Sequence, residues 1–171
     1  MQRILIKTFF PSSRWGIKQS DAAKAVCLKK PLTKEYQEYA KQILNNAKAL
    51  SDSFQEQGLR VISGGTENHI VLVDTRSVDE ELTGKEAGIL LNDRGVTLNR
   101  NAIPFDPRSP FITSGIRMGT PAVTTCGMKE NELTQVGFLI SEIMKNRSDG
   151  NKLNELEAEV RSLATSFQPY G

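Results

Sequence analysis

Histidine, tryptophan and cysteine are almost missing from this chain, which has one His, one Trp and two Cys in 171 residues. Cys27 and Cys126 lie far apart without a CxxC spacing, and His69 has no second histidine to pair with. Neither a zinc site nor a disulfide framework is therefore expected, and the thiols read as reduced cysteines of a cytoplasmic protein. No apolar run approaches the roughly 18 residues a membrane-spanning helix needs, so no membrane partner is expected. Repeats and low-complexity tracts are also missing. The net charge, 22 Lys and Arg against 20 Asp and Glu, argues neither for nor against a nucleic-acid partner, and none is expected.

The length suits one domain plus tails, with enough chain for a real core. Charge is unevenly spread. Residues 1–30 hold seven basic residues and one acid, Asp21, which leaves 15 basic and 19 acidic residues for 31–171, a net of −4. The stretch 1–21 is basic and includes Ser12 and Ser13. It has the flavour of an organelle transit peptide, but a non-native, poorly ordered start is the preferred reading.

From Pro31 and Thr33 a helix is expected, with Tyr36, Ala40, Ile43, Ala47, Leu50 and Phe54 at helical spacing and Gly58 closing it. Strands are expected at 59–63 and 69–74, joined as an antiparallel hairpin through Gly64 and Gly65. Thr83 and Glu86 have the spacing of a capping box, which predicts a helix over Ala87, Leu90 and Leu91 that stops at Gly95. Short strands are expected at 96–98 and 113–118. A helix over about 130–146 would bury Leu133, Val136, Ile140, Ile143 and Met144, and Asn151 would cap a last helix bearing Leu153, Leu156, Val160, Leu163 and Phe167. The class is α+β: a small, mainly antiparallel sheet covered by helices, in the order α-β-β-α-β-β-α-α.

The stretch 96–127, VTLNRNAIPFDPRSPFITSGIRMGTPAVTTCG, is irregular and polar, and such a segment inside a compact domain usually lines a site. Pro104, Pro107 and Pro110 preset its backbone. Gly115 and Gly119 bracket Arg117, suggesting a short strand in close contact with something else. A guanidinium presents a planar fork of donors and stays charged at any working pH, so Arg117 reads either as a carboxylate-binding residue or as the partner of an acid such as Asp106. Taken by themselves, Asn101 is a turn residue near proline and Phe111 a core aromatic. His69 reads as structural, because nothing at ligand spacing accompanies it.

Five motifs decide the family resemblance: VISGGTENH at 61–69, LVD at 72–74, LTGKEA at 82–87, NRNAIPFD at 99–106 and SPFITSGIRMGTPA at 109–122. Together they resemble the C-terminal small domain of serine hydroxymethyltransferase, a fold-type I enzyme that uses pyridoxal phosphate and tetrahydrofolate. The resemblance covers roughly residues 22–147, and the domain is expected to occupy 22–171. It implies that Arg117 binds the α-carboxylate of serine or glycine, orienting the substrate. It further implies that Asn101, Ser109, Pro110 and Phe111 border tetrahydrofolate, whose pterin suits an amide edge and a phenyl face.

The resemblance also implies what this chain lacks. The family's cofactor lysine follows a threonine run and a histidine, whereas the lone His69 is followed by Ile70 and none of the 12 lysines has that setting. No catalytic residue is therefore assigned here. The chain is expected to be a fragment or split piece, inactive alone, whose partners are the large pyridoxal-phosphate domain, serine or glycine, and tetrahydrofolate, within a homodimer or tetramer. The alternative is a non-catalytic binding or regulatory protein that kept the fold. Cys126 departs from the pattern, since the family usually has arginine between that threonine and glycine, and Arg100 stands where lysine is commoner.

Overall fold

The computed structural model describes residues 18–167, so the stretch 1–17 of the basic leader lies outside the described residues. The chain forms two compact units, Met1–Ala40 and Lys41–Gly171. In the first, helix α1 (Lys18–Lys29) is followed by a 3-10 turn at Lys30–Leu32 and the start of α2 (Lys34–Glu56). Pro31 suits the turn because its missing N–H and preset φ cost nothing there. Thr33 then caps α2: its hydroxyl donates to the Lys30 carbonyl (2.8 Å) and accepts from the Tyr36 N–H (3.3 Å).

The second unit holds the sheet. Strands β1 (Arg60–Val61), β2 (Ile70–Asp74), β3 (Asn99–Asn101) and β4 (Gly115–Gly119) run in the order β1-β2-β4-β3. Every pairing is antiparallel, with Val61 opposite Val73, Leu72 opposite Arg117, and Arg117 opposite Asn99. The expected hairpin between the first two strands is present. Because side chains alternate across a strand, Val71, Val73 and Ile116 fall together on one face. All three are fully buried. Leu72, Arg117 and Asn99 share the other face.

Helices pack against the buried face. They are the later turns of α2, then α3 (Gly84–Asp93), α5 (Glu130–Lys145) and α6 (Gly150–Thr165). Phe54, Leu91, Leu133, Ile140, Ile143, Met144 and Leu156 form the centre of that core. Helices α2 and α5 approach closely at Gly137, where an added Cβ would sit 2.6 Å from Ser53 Oγ. Asn46, fully buried, ties α2 to α4 (Pro121–Thr125) and to the connection after it, donating to Thr124 Oγ1 (2.8 Å) and the Met128 carbonyl (2.9 Å). A buried amide with its donors engaged avoids the desolvation cost of a lone polar group.

Several sequence expectations need correction. The element order is longer than expected, because α1 precedes α2 and the short α4 follows β4. The third strand starts at Asn99, after the expected 96–98 segment. Val96 and Leu98 pack against the core as parts of a connector, so their apolar alternation records packing and not pairing. Asp149, not Asn151, caps α6: its carboxylate accepts from the Asn151 N–H (3.0 Å) and the Lys152 N–H (3.1 Å). The Thr83–Glu86 capping box is present in both directions, at 3.1 Å each way, and Gly58 has φ +80°, as a helix-closing glycine requires.

Candidate functional site

The segment between β3 and β4 is built around one carboxylate. Asp106 Oδ2 accepts from the Ser114 N–H (2.8 Å) and the Ile103 N–H (3.2 Å). Its Oδ1 accepts from the Arg108 N–H (2.9 Å) and Ser114 Oγ (2.7 Å). Burial would raise the Asp106 pKa, but these bonds from Arg108, Ser114 and Ile103 outweigh it and lower it from 3.8 to about 2. Asp106 stays ionised at neutral pH and gathers three separated points of the loop.

Arg108 extends the clamp outward, donating to the carbonyls of Leu82 (2.8 Å) and Glu80 (2.6 Å). The loop carbonyls of Thr113 and Ile112 accept from Gly84 (3.0 Å) and Lys85 (3.1 Å), at the start of α3. Ser109 contributes its carbonyl to a turn, accepting from Ile112 (3.0 Å) and Thr113 (2.9 Å). Thr113 is held at φ 62° and Phe105 at φ 57°, a region costly for residues with a Cβ, and most of all for a β-branched one. The loop thus holds Phe105 and Phe111 out of the core, 103% and 81% exposed.

Strand β4 leaves this loop through Gly115, where an added Cβ would meet Ile103 Cγ2 at 2.7 Å and the Asn101 carbonyl at 2.8 Å. Close approach therefore demands glycine here. At Gly119 the nearest atoms lie 3.6 Å away, so nothing demands it there. Arg117, between the two, is exposed. Among the described residues its guanidinium makes no hydrogen bond or ion pair, and Asp106 is committed to its own loop. The acid-partner reading of Arg117 is thereby set aside.

Arg117 borders an open concavity of about 650 Å³ with Lys85, Ile89, Asn92, Leu98, Asn99 and Arg100. It also borders a smaller one of about 260 Å³, whose walls include Leu50, Met118, Leu133 and Ile140. Asn101 pairs with Gly115 in the register, two residues from Arg117, and its Nδ2 donates to the Ala102 carbonyl (2.7 Å). Asn101, like Ser109, Pro110 and Phe111, lines neither concavity. The strand register alone brings Asn101 near Arg117, and the exposed 109–111 turn is a separate projecting edge.

Other candidates play smaller parts. His69 is exposed and gives its carbonyl to the Thr120 N–H (3.1 Å). Cys126 is half-buried at the end of α4 and is a free thiol. Among the described residues no group of three His, Cys, Asp or Glu could hold a metal, and no helix is long and apolar enough to cross a membrane. Sequence reasoning treated Asp106 only as a possible ion-pair partner. Its one local signal was an Asx turn, the side chain reaching the N–H two residues on.

The family model for serine hydroxymethyltransferase matches residues 1–140. The chain belongs to the serine hydroxymethyltransferase family. The match takes in residues 1–21, which carry none of the motifs quoted above. A serine hydroxymethyltransferase of Janthinobacterium sp. (strain Marseille) is 42% identical over 171 residues, covering 99% of this chain and 41% of that protein. One from Psychrobacter sp. (strain PRwf-1) is 43% identical over 162 residues, covering 94% of this chain and 38% of the relative. The chain thus spans about two fifths of the length of the curated relatives it matches.

The family uses pyridoxal phosphate, which is held through a lysine Schiff base with an acid at the ring nitrogen. The described residues do not fit that group. Apart from half-exposed Lys152, every lysine from Lys24 onward is exposed, and Lys152 is engaged with Glu155 at 3.0 Å. The low-dielectric setting that makes a lysine nucleophilic is not offered by any of them.

Proposed function

We propose that this chain is the C-terminal portion of a serine hydroxymethyltransferase and supplies the substrate-carboxylate arginine, Arg117, to a site completed by further protein. In the assembled enzyme the reaction is the reversible conversion of serine and tetrahydrofolate to glycine and 5,10-methylenetetrahydrofolate. The observation that supports this most is the state of Arg117. It is a charged fork on a central strand, reached through a glycine that close packing requires, and left without a partner among the described residues. Arginine in that state is suited to bidentate carboxylate binding, which orients a substrate as well as holding it.

Asn101, Ser109, Pro110 and Phe111 form the chain's contribution to the folate wall. An exposed phenyl at Phe111 and an amide at Asn101 provide apolar face and polar edge. The cofactor is bound mainly by the portion outside this chain. Alone, the chain is inactive, and homodimer or tetramer assembly belongs to the whole enzyme. Localisation is cytoplasmic in this reading.

Two experiments test it together. Titration of the isolated chain with pyridoxal phosphate is expected to give no stoichiometric Schiff-base absorbance. A chimera in which this chain replaces the matching part of the Janthinobacterium relative is expected to cleave serine in the presence of tetrahydrofolate. A chimera that folds and binds cofactor but turns over no serine would favour the alternative, a non-catalytic binding protein.

A further inference from the structure

The described chain holds eight arginines, and six of them are engaged: Arg60 and Arg76 with Asp74, Arg94 and Arg161 with Glu157, Arg147 with Asp79, and Arg108 with two carbonyls. The two without a partner among the described residues, Arg100 and Arg117, border the same concavity of about 650 Å³. Lys85, also exposed and unpartnered among the described residues, borders it from α3. Against these three cations the lining offers one acid, Asp93.

Residues 31–171 carry a net charge of −4, so acids are in excess over the domain as a whole but outnumbered three to one here. Unneutralised like charges around one concavity repel, and a bound anion relieves that repulsion. The lining on α3 comes from positions 85, 88, 89, 92 and 93, one stripe of the helix at i, i+3, i+4, i+7 and i+8. That stripe gives the concavity an apolar patch at Ile89 and an amide at Asn92 beside the cations. Asn99, opposite Arg117 in the register, supplies a second amide.

We propose that the groove between α3 and the β3–β4 pair binds a small anion bearing two or more negative groups, with Lys85 and Arg100 as its ligands beside Arg117. It shares Arg117 with the function proposed above but stands on Lys85 and Arg100, which that function does not use. Carboxylate and phosphate groups share the chemistry, and the test separates them.

The isolated chain is titrated calorimetrically with tricarballylate, pyrophosphate and acetate at constant ionic strength. Saturable one-site binding of tricarballylate, pyrophosphate or both, tighter than acetate, is expected, and the better ligand identifies the anion class. Lys85→Ala and Arg100→Ala should each weaken it about fivefold, the scale of one solvent-exposed charge contact. Lys48→Ala, which removes an exposed lysine of α2, should leave it unchanged. All three positions are exposed, and circular dichroism checks each fold. No saturable binding, or equal weakening by Lys48→Ala, overturns the proposal. Wild-type affinity in the Lys85 and Arg100 variants with loss in Arg117→Ala would overturn it while leaving the arginine's carboxylate role standing.

Discussion

Asp106 holds Ser114 twice, accepting its backbone N–H at 2.8 Å and its hydroxyl at 2.7 Å. Ser114 is fully buried and immediately precedes β4, so the same two bonds that close the loop also set where the strand carrying Arg117 begins. A carboxylate with four donors is well suited to this, because each bond is charge-assisted and stronger than a neutral one.

Replacing Asp106 with Asn puts an amide NH₂ where one carboxylate oxygen accepts two bonds. The expected loss of stability is about 1–3 kcal/mol, the usual cost of unsatisfied buried donors, read from urea unfolding midpoints. The Ala variant should lose at least as much.

The same residue sets an acid limb. Its folded pKa of about 2 lies below its ordinary 3.8. A lowered carboxylate pKa gives stability that is present above the unfolded value and lost as pH falls through the folded one. Unfolding free energy is therefore expected to decline between about pH 4 and pH 2 in the native chain, and to decline less steeply over that window in Asp106→Asn.

Gly115 and Gly119 should respond differently to the same change. Gly115→Ala drives a methyl into Ile103 and the Asn101 carbonyl and is expected to cost about 1–3 kcal/mol, as overpacking does. Gly119→Ala meets only ordinary contacts and should lie within about 0.5 kcal/mol of the native chain. Paired thermal melts decide it.

Asp74 is 2% exposed. Burial acts to raise its pKa, and the bonds from Arg76 together with the charge of Arg60 lower it. Arg76 makes the closer contact, 2.8 Å from a side chain only 28% exposed, whereas Arg60 sits at 3.1 Å and is 64% exposed. Arg76→Ala is thus expected to cost about 2–3 kcal/mol, since it leaves a buried charge under-compensated. Arg60→Ala should cost about 0–1 kcal/mol, as exposed pairs do. Because the shift of Asp74 is downward, its contribution is lost on the acid side of its ordinary value.

How much of this was legible in the sequence follows from how local each cause is. The Thr83–Glu86 box and the closing role of Gly58 depend on residues three or fewer positions apart, and both were readable. The long helices were readable because Leu50, Phe54, Ile140 and Leu156 repeat at the helical period and all reach the core. Residues 96–98 misled, since an apolar connector packed on a core alternates much as a strand does. At the start of α6, Asp149 and Asn151 are both capable caps. The choice fell to Asp149, which has extended backbone angles, φ −102° and ψ 96°.

The candidate site was legible in part. Arg117 stood out because two glycines flank it, although only Gly115 turned out to be required by packing. Asp106 did not, because Ile103 and Ser114 reach it only after the loop has folded back on itself. That Arg100 and Arg117 lack partners among the described residues while the six other described arginines find them depends on the whole tertiary arrangement. No spacing in the sequence announces it.

Arg117 is the residue on which the functional reading turns, and Arg117→Lys tests it most directly. In the isolated chain the unfolding midpoint should move by less than about 0.5 kcal/mol, because no group among the described residues depends on the guanidinium. In the chimera with the Janthinobacterium relative, KM for serine should rise by about tenfold or more, a single lysine being unable to reproduce the two-pronged contact. An unchanged KM in an active chimera, or a large loss of stability in the isolated chain, would contradict the assignment.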